Sequence, residues 1–260
     1  MGKRQFVIFS IKVVFYGLLL VVYLSGCGEG EKETLLAHEI GILYPESGLP
    51  SNSGLLMNIT APPKSIDIRV GGVEGTLRQL GQYSMTYFWK PLREMPQGRV
   101  PISIQAIDDK GREYPVYAEI PEPDSKGRIF KLPSEIEVVS PDKVPPTLIS
   151  SQPSQGATDV AFNPERQFRF LLVFSEPILI FEAKARLEPH LELYPPGGEF
   201  TTVSSTEELR KTVIIQTAPP PVSVFSPNTK YTLIVEGVQD YAGNKAEEVR
   251  LEFTTASAQK

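Results

Sequence analysis

The sequence predicts an all-β chain, two tandem β-sandwich domains behind an N-terminal leader. Three observations lead there. Twenty-four prolines and 20 glycines among 260 residues punctuate short apolar runs, the composition of many short strands joined by turns. Within those runs apolar and polar residues alternate, which turns one face of each strand towards a core. The chain also lays out one order of strands and turns twice, and that repetition sets the block boundaries.

Lys3, Arg4 and Lys12 make the first segment positive, and no acid precedes Glu29. An apolar run from Val13 to Leu24 follows. A basic start, a short apolar run and small residues make a secretory signal. The run is shorter than the about 20 residues of a spanning helix. Counting back through Lys12 to Phe6 lengthens it, and an uncleaved anchor is the alternative reading. Leu24, Ser25 and Gly26 lead to Cys27, the only cysteine; together they resemble the lipobox of bacterial lipoproteins. The resemblance implies cleavage between Gly26 and Cys27 and a diacylglyceryl thioether on Cys27, often with a third chain on its amine. More than one chain is needed, because a single acyl group at ~0.8 kcal/mol per methylene holds only marginally. The competing reading of Cys27 is a chance cysteine in a discarded leader. Gly28, rather than an aspartate, follows it, which points to the outer membrane if the organism is Gram-negative. Residues 1–26 thus read as a lipoprotein signal peptide and 27–38 as the lipidated cysteine with a polar tether.

Cleavage removes three of the 26 basic side chains and none of the 31 acids, taking the net charge from −5 to −8. That argues against nucleic acid as a partner. With Cys27 acylated, no cysteine remains for a disulfide within the chain, so the fold rests on ordinary cores.

The first block, 39–121, opens with a turn from Pro45 to Gly48 and an alternating strand, Leu55–Thr60, before Pro62. Strands at Tyr83–Lys90 and Val100–Ile107 flank a corner that starts at Pro91. A turn at Asp108–Gly111 and a strand at Glu113–Ile120 close it. Residues 122–144, rich in proline and charge, read as a linker in which Ile136, Val138 and Val139 are strand formers. The second block, 145–255, repeats the plan, and 256–260 is a tail. Its opening turn is Pro153–Gly156, and its strand Phe168–Phe174 precedes Pro177. Thr212–Thr217, a corner from Pro219 and Tyr231–Val238 follow, then a turn at Asp240–Asn244 and a strand at Glu247–Thr254. Phe168, Phe170, Leu172 and Phe174 share one face, as do Val249, Leu251 and Phe253. Phe181–Leu187 is assigned a short turn of helix after Pro177. Tyr231 is placed as a corner tyrosine bonding back to the preceding loop.

Strands of this number and spacing suggest immunoglobulin-like sandwiches of roughly 100 residues each. The second block resembles the SbsA-type bacterial Ig-like domain of S-layer and other surface proteins. The resemblance is carried by Pro145-Pro146, the run Gly156–Val160, the run Phe174–Pro177, the run Ser226–Tyr231, the run Val238–Asn244 and Phe253–Thr255. It implies a seven-stranded sandwich in an extracytoplasmic setting and no particular activity.

Asp240, Gly243 and Asn244 form the sharpest motif. As a turn, the aspartate accepts backbone hydrogen bonds while glycine and asparagine tolerate positive φ. As a calcium site, Asp240 would be one ligand of the six to eight oxygens required, and the turn supplies too few by itself. Asp108 and Asp109 hold the matching place in the first block. Tyr83, Met85, Tyr87 and Trp89 line one strand face. That face is read as core, with Trp89, at the strand end, as the position for a ligand contact. Glu176 reads as a strand-end residue, and His38 and His190 as solvated. No P-loop, dinucleotide fingerprint or paired metal-ligand motif occurs, so no catalytic residue, metal or cofactor is assigned. The expected protein is not an enzyme. It is a lipid-anchored, extracytoplasmic protein of the bacterial cell envelope, with a structural, spacer or adhesive role. Its expected partners are the membrane, other envelope proteins and surface polysaccharide. The rival readings are a polysaccharide- or ligand-binding lipoprotein and an accessory part of a secreted hydrolase.

Overall fold

A computed structural model describes residues 38–43, 47–80, 85–120, 128–180, 182–194, 201–202 and 211–257. The leader, Gly26, Cys27 and nearly all of the tether lie outside the described residues, as do Pro45 and Tyr83. Every regular element among the described residues is a strand.

In the first unit these are β1 (Ile40–Leu43), β2 (Leu49–Pro50), β3 (Leu55–Ile59), β4 (Ser65–Val70), β5 (Val73–Gln79), β6 (Thr86–Pro91), β7 (Gly98–Ile107), β8 (Val116–Ile120), β9 (Arg128–Lys131) and β10 (Glu135–Val139). They pair in the order β2-β10-β7-β4-β5-β6-β3-β1-β8-β9. One buried cluster joins Ile68, Val100, Ile102, Ile136 and Val138 from β4, β7 and β10 to Ile40, Met57 and Trp89 from β1, β3 and β6. The two halves of the sheet therefore face one another across a shared core, as in a sandwich. Residues 128–139 belong to this sheet and are not a free linker. β9 pairs with β8, and β10, containing Ile136, Val138 and Val139, pairs with β7 and with β2. His38 is not free either: it packs edge-on against Tyr114, with Nδ1 3.0 Å from the Tyr114 hydroxyl.

Trp89 corrects the sequence reading. It is 1% exposed, not a surface residue at a strand end. β6 runs on to Pro91 and is flanked by β3 and β5, with Trp89 opposite both Leu55 and Leu77. Its ring fills the core beneath Gly75, where a Cβ would overlap the indole. It cannot meet a ligand from that position.

The second unit contains β11 (Leu148–Gln152), β12 (Ala157–Val160), β13 (Arg169–Phe174), β14 (Ile178–Leu179), β15 (Lys184–Glu188), β16 (Leu193–Tyr194), β17 (Thr201–Thr202), β18 (Thr212–Thr217), β19 (Lys230–Glu236), β20 (Gln239–Asp240) and β21 (Val249–Thr255). One sheet runs β11-β13-β18-β16, with β17 also on β18. A second runs β12-β21-β19-β15, and β14 and β20 form a separate ribbon. The first four strands match the A, B, E and D positions of an immunoglobulin-like sandwich; β15, β19 and β21 match C, F and G. β12 adds the parallel partner of the last strand. The faces fall as the alternation requires: Phe170, Leu172 and Phe174 from one sheet meet Val249, Leu251 and Phe253 from the other. Phe225, Tyr231 and Phe253 pack ring to ring, with centroids 4.8–5.8 Å apart. The Tyr231 hydroxyl accepts the Ser226 N–H at 3.0 Å, which closes the tyrosine corner.

Phe181 lies outside the described residues, and over the rest of Phe181–Leu187 the expected helical turn is not formed. Residues 184–188 are β15, paired residue for residue with β19. Leu187 is buried and Ala185 half-buried between exposed neighbours, a strand period that outweighs the helix-forming character of Ala185 and Leu187.

Gly75→Ala should destabilise the first unit by about 1–3 kcal/mol through overpacking against the indole. Trp89 is the sole tryptophan, so its fluorescence reports the melt directly. An unchanged melting temperature would place the indole elsewhere.

Candidate functional site at the domain junction

Each block closes with an aspartate that folds a turn around its own carboxylate. Asp108 Oδ1 accepts the N–H groups of Lys110 and Arg112 at 2.8 and 2.9 Å, and Oδ2 accepts Arg112 Nε at 2.6 Å. Asp240 Oδ1 accepts the N–H groups of Gly243 and Asn244 at 2.6 and 2.8 Å, and Oδ2 accepts Asn244 Nδ2 at 2.7 Å. Gly243 has φ +95°, a conformation that glycine adopts without strain. The two turns are one device in two copies, with Asn244 in the place of Arg112. Asp109, beside Asp108, is exposed.

The second copy sits where the two units meet. The chain leaves β10 at Val139, beside the loop that follows β2, because β2 and β10 pair in parallel. Asn52 in that loop brackets the Asp142 peptide: its Nδ2 donates to the Asp142 carbonyl at 2.7 Å, and its Oδ1 accepts the Asp142 N–H at 2.9 Å. From the other side, Asn244 Nδ2 reaches the same carbonyl at 3.3 Å. Nearby, the Gly54 N–H donates to the Tyr241 carbonyl at 2.9 Å. The Tyr241 ring lies 5.9 Å from that of Phe88. Phe88 points away from the first core, on the opposite face of β6 from Trp89, and is still only 3% exposed. Arg78 and Glu182 add an ion pair between the units at 3.5 Å, a solvent-exposed contact of small weight.

Two acids converge on the Asp240 turn. Ile178 lies opposite Asp240 in the β14–β20 ribbon, which carries Glu176, two residues earlier, to the turn. Asp142 arrives from the junction. One carboxylate oxygen from each of Asp142, Glu176 and Asp240 lies within 4.8 Å of the others. Burial first, then the charges of Asp142 and Asp240, push the Glu176 carboxyl up to about 7; Lys211 opposes them. Asp240 is 2% exposed with both oxygens taken by N–H donors, and Asp142 Oδ1 accepts the Val144 N–H. Three oxygens are half of the smallest calcium shell. The chemistry this geometry fits directly is proton holding. Sequence reading singles out Asp240, Gly243 and Asn244 and sees Glu176 only as a strand end. It does not bring Asp142 to them, since residues 102 positions apart meet only through the fold. His190 is exposed and apart from the junction contacts described.

Residues 142–255 match the bacterial Ig-like domain family. The matched span begins at the junction aspartate and ends with β21. No curated protein matches the sequence. Among solved structures, the chain is similar to the fibronectin(III)-like modules of Clostridium thermocellum CbhA. Identity is 11%, coverage 84% of this chain and 95% of that one, and the TM-score 0.27. It is also similar to dimeric latent PorU from Porphyromonas gingivalis, at 16% identity, 93% and 26% coverage and TM-score 0.31. A third is the Bacteroides ovatus mixed-linkage glucan utilization locus SGBP-B in complex with a mixed-linkage heptasaccharide, at 13% identity, 86% and 46% coverage and TM-score 0.22. The strand pairing and the family match together make the second unit an Ig-like sandwich.

Backbone N–H bonds from the Arg112 turn are the largest cause holding the Asp108 carboxyl down at about 2, assisted by the Arg112 guanidinium. A carboxyl lowered on folding stabilises the fold above its unfolded value of about 3.9, and that contribution is lost as pH falls through the folded value. Asp108→Asn should therefore melt below wild type at neutral pH, and the gap should close as pH approaches about 2. A gap that stays constant with pH would show that the charge is not what the turn uses.

Proposed function

We propose that this protein is a lipid-anchored spacer of the bacterial cell envelope. Cys27 fixes it to a membrane, and two docked Ig-like sandwiches hold a surface at a set distance outside the cytoplasm. The observation that carries this reading is the bonded junction. Asn52, Gly54 and Phe88 of the first unit meet Asn244 and Tyr241 of the second, with the Asp142 peptide held between them. A spacer needs two domains that keep one geometry, and two side-chain amides on one peptide, with the Gly54 and Phe88 contacts to Tyr241 beside them, provide for that. An Ig-like domain of the bacterial family fits a structural or adhesive role on a surface. The SbsA-type resemblance and the lipobox at Leu24–Cys27 extend that role to a lipoprotein anchored on the outer side of the cell. The polysaccharide-binding alternative loses its aromatic contact, because Trp89 lies in the core. A hydrolase would need a free carboxylate pair in an open cleft, and here the Asp240 oxygens are committed to the turn.

Natively expressed wild type should begin at Cys27, carry added acyl mass and enter the detergent phase on partitioning. Cys27→Ala should do none of these. Intact mass spectrometry beside detergent partitioning reads all three. Wild type that retains residues 1–26 without acylation would overturn the anchor.

A further inference from the structure

We propose that the docking of the two sandwiches is controlled by a proton at their junction: they hold one arrangement while Glu176 and Asp142 share it, and loosen when it leaves. The inference goes beyond the spacer reading and does not depend on how the chain is anchored. It starts from the interface. Asp142 is the residue through which the units meet, bonded to Asn52 on one side and Asn244 on the other. Its carboxylate accepts the Val144 N–H. It faces Glu176, which precedes β14, and Asp240 at the end of β20, all three within 4.8 Å.

Cations on the neighbouring elements bear on this point, and Lys143 follows Asp142 in the chain. Lys211, just ahead of β18, is the cation that acts on Glu176. Lys90 of β6 reaches Gly243, with Nζ 2.9 Å from where a Cβ would stand. Arg78 is engaged with Glu182. Asp240 cannot turn away, because its oxygens form the turn. Ionising all three acids sets like charges against each other at the peptide that joins the domains. Keeping one proton on Glu176 replaces that repulsion with an O–H hydrogen bond to Asp142. This is the behaviour of carboxyl pairs that cannot both ionise.

The direction follows from linkage. Glu176 is raised to about 7, chiefly by burial, against about 4.3 when exposed. On this proposal docking is what completes the burial of the carboxyl, so the docked state binds its proton more tightly. Its contribution is fully present below the exposed value and is lost as pH rises through about 7.

The test uses the full chain in detergent, with Cys27→Ser so that only introduced thiols react. Spin labels are placed at Ser103→Cys on β7 and Lys230→Cys on β19, both outward-facing strand positions. Pulsed dipolar spectroscopy should give a narrow interlabel distance distribution at roughly pH 5 and a broader one at roughly pH 9, with a midpoint near 7. Glu176→Gln, the neutral stand-in for the protonated acid, should stay narrow at both. Asp142→Asn keeps an acceptor for Val144 while removing the facing charge, and should move the midpoint down. Identical wild-type distributions at both pH values would overturn the proposal. So would a Glu176→Gln chain that broadens like wild type. Broadening caused by a chelator at the lower pH would also overturn it, since that would assign the junction to a cation.

Discussion

One peptide, at Asp142, sets how the two halves of this protein relate. Its N–H and C=O are claimed by the side-chain amide of Asn52, and its C=O again by Asn244. A side-chain amide can satisfy a peptide's donor and acceptor at once, as a neighbouring strand would. The connection between the domains is thus treated like sheet backbone. The apolar part of the junction follows from this placement. Phe88 projects from the outer face of β6, where a lone sandwich would leave an aromatic ring in water. Beside Tyr241 it is buried instead. Without the second unit, the first would expose that ring and the loop at Asn52–Gly54.

The closing turns show how a repeated element acquires a new use. In both blocks an aspartate gathers two backbone N–H groups and one side chain four residues on. In the first block that side chain is Arg112, whose charge balances Asp108 at a surface turn. In the second it is Asn244, which gives one N–H to Asp240 and has another for the Asp142 carbonyl. Exchanging a cation for an amide leaves the Asp240 carboxylate without a partner of opposite charge in its own turn. The same exchange lets the turn join the domains. The crowding of acids around Glu176 is the electrostatic consequence.

Much of this is legible in the sequence, for a definite reason. Strands that bury one face announce themselves by alternation, and Phe170, Leu172 and Phe174 lie where that rule puts them. So does the corner at Tyr231, whose bond spans only five residues. Ser65–Val70 carries the same signal, with Ile66, Ile68 and Val70 between Ser65, Asp67 and Arg69; its counterpart is β15, which pairs with β19 as β4 pairs with β7, and reading β15 as helix leaves the two unmatched in the sequence. The differences between sequence and structure come from long-range contacts. Trp89 reads as a strand end because Pro91 follows it, whereas pairing with both β3 and β5 carries β6 through that proline. β15 reads as helix because its alternation is short and its partner, β19, lies more than forty residues away. The acid cluster is hidden for the same reason: Asp142, Glu176 and Asp240 carry no local pattern, and only the β14–β20 ribbon and the junction bring them together.

Backbone hydrogen exchange on the full chain tests the central claim, that the two sandwiches are docked through this junction. The decisive probes are the Gly54 amide, which donates to Tyr241 across it, and the Asp142 amide, which donates to Asn52. Both lie in loops, where unpaired amides exchange fast. A docked protein protects them to the degree of neighbouring strand amides such as those of Met57 and Leu233. Exchange at loop rates, with the strands still protected, would mean that the domains are joined only by chain, and would contradict docking through the Asp142 peptide.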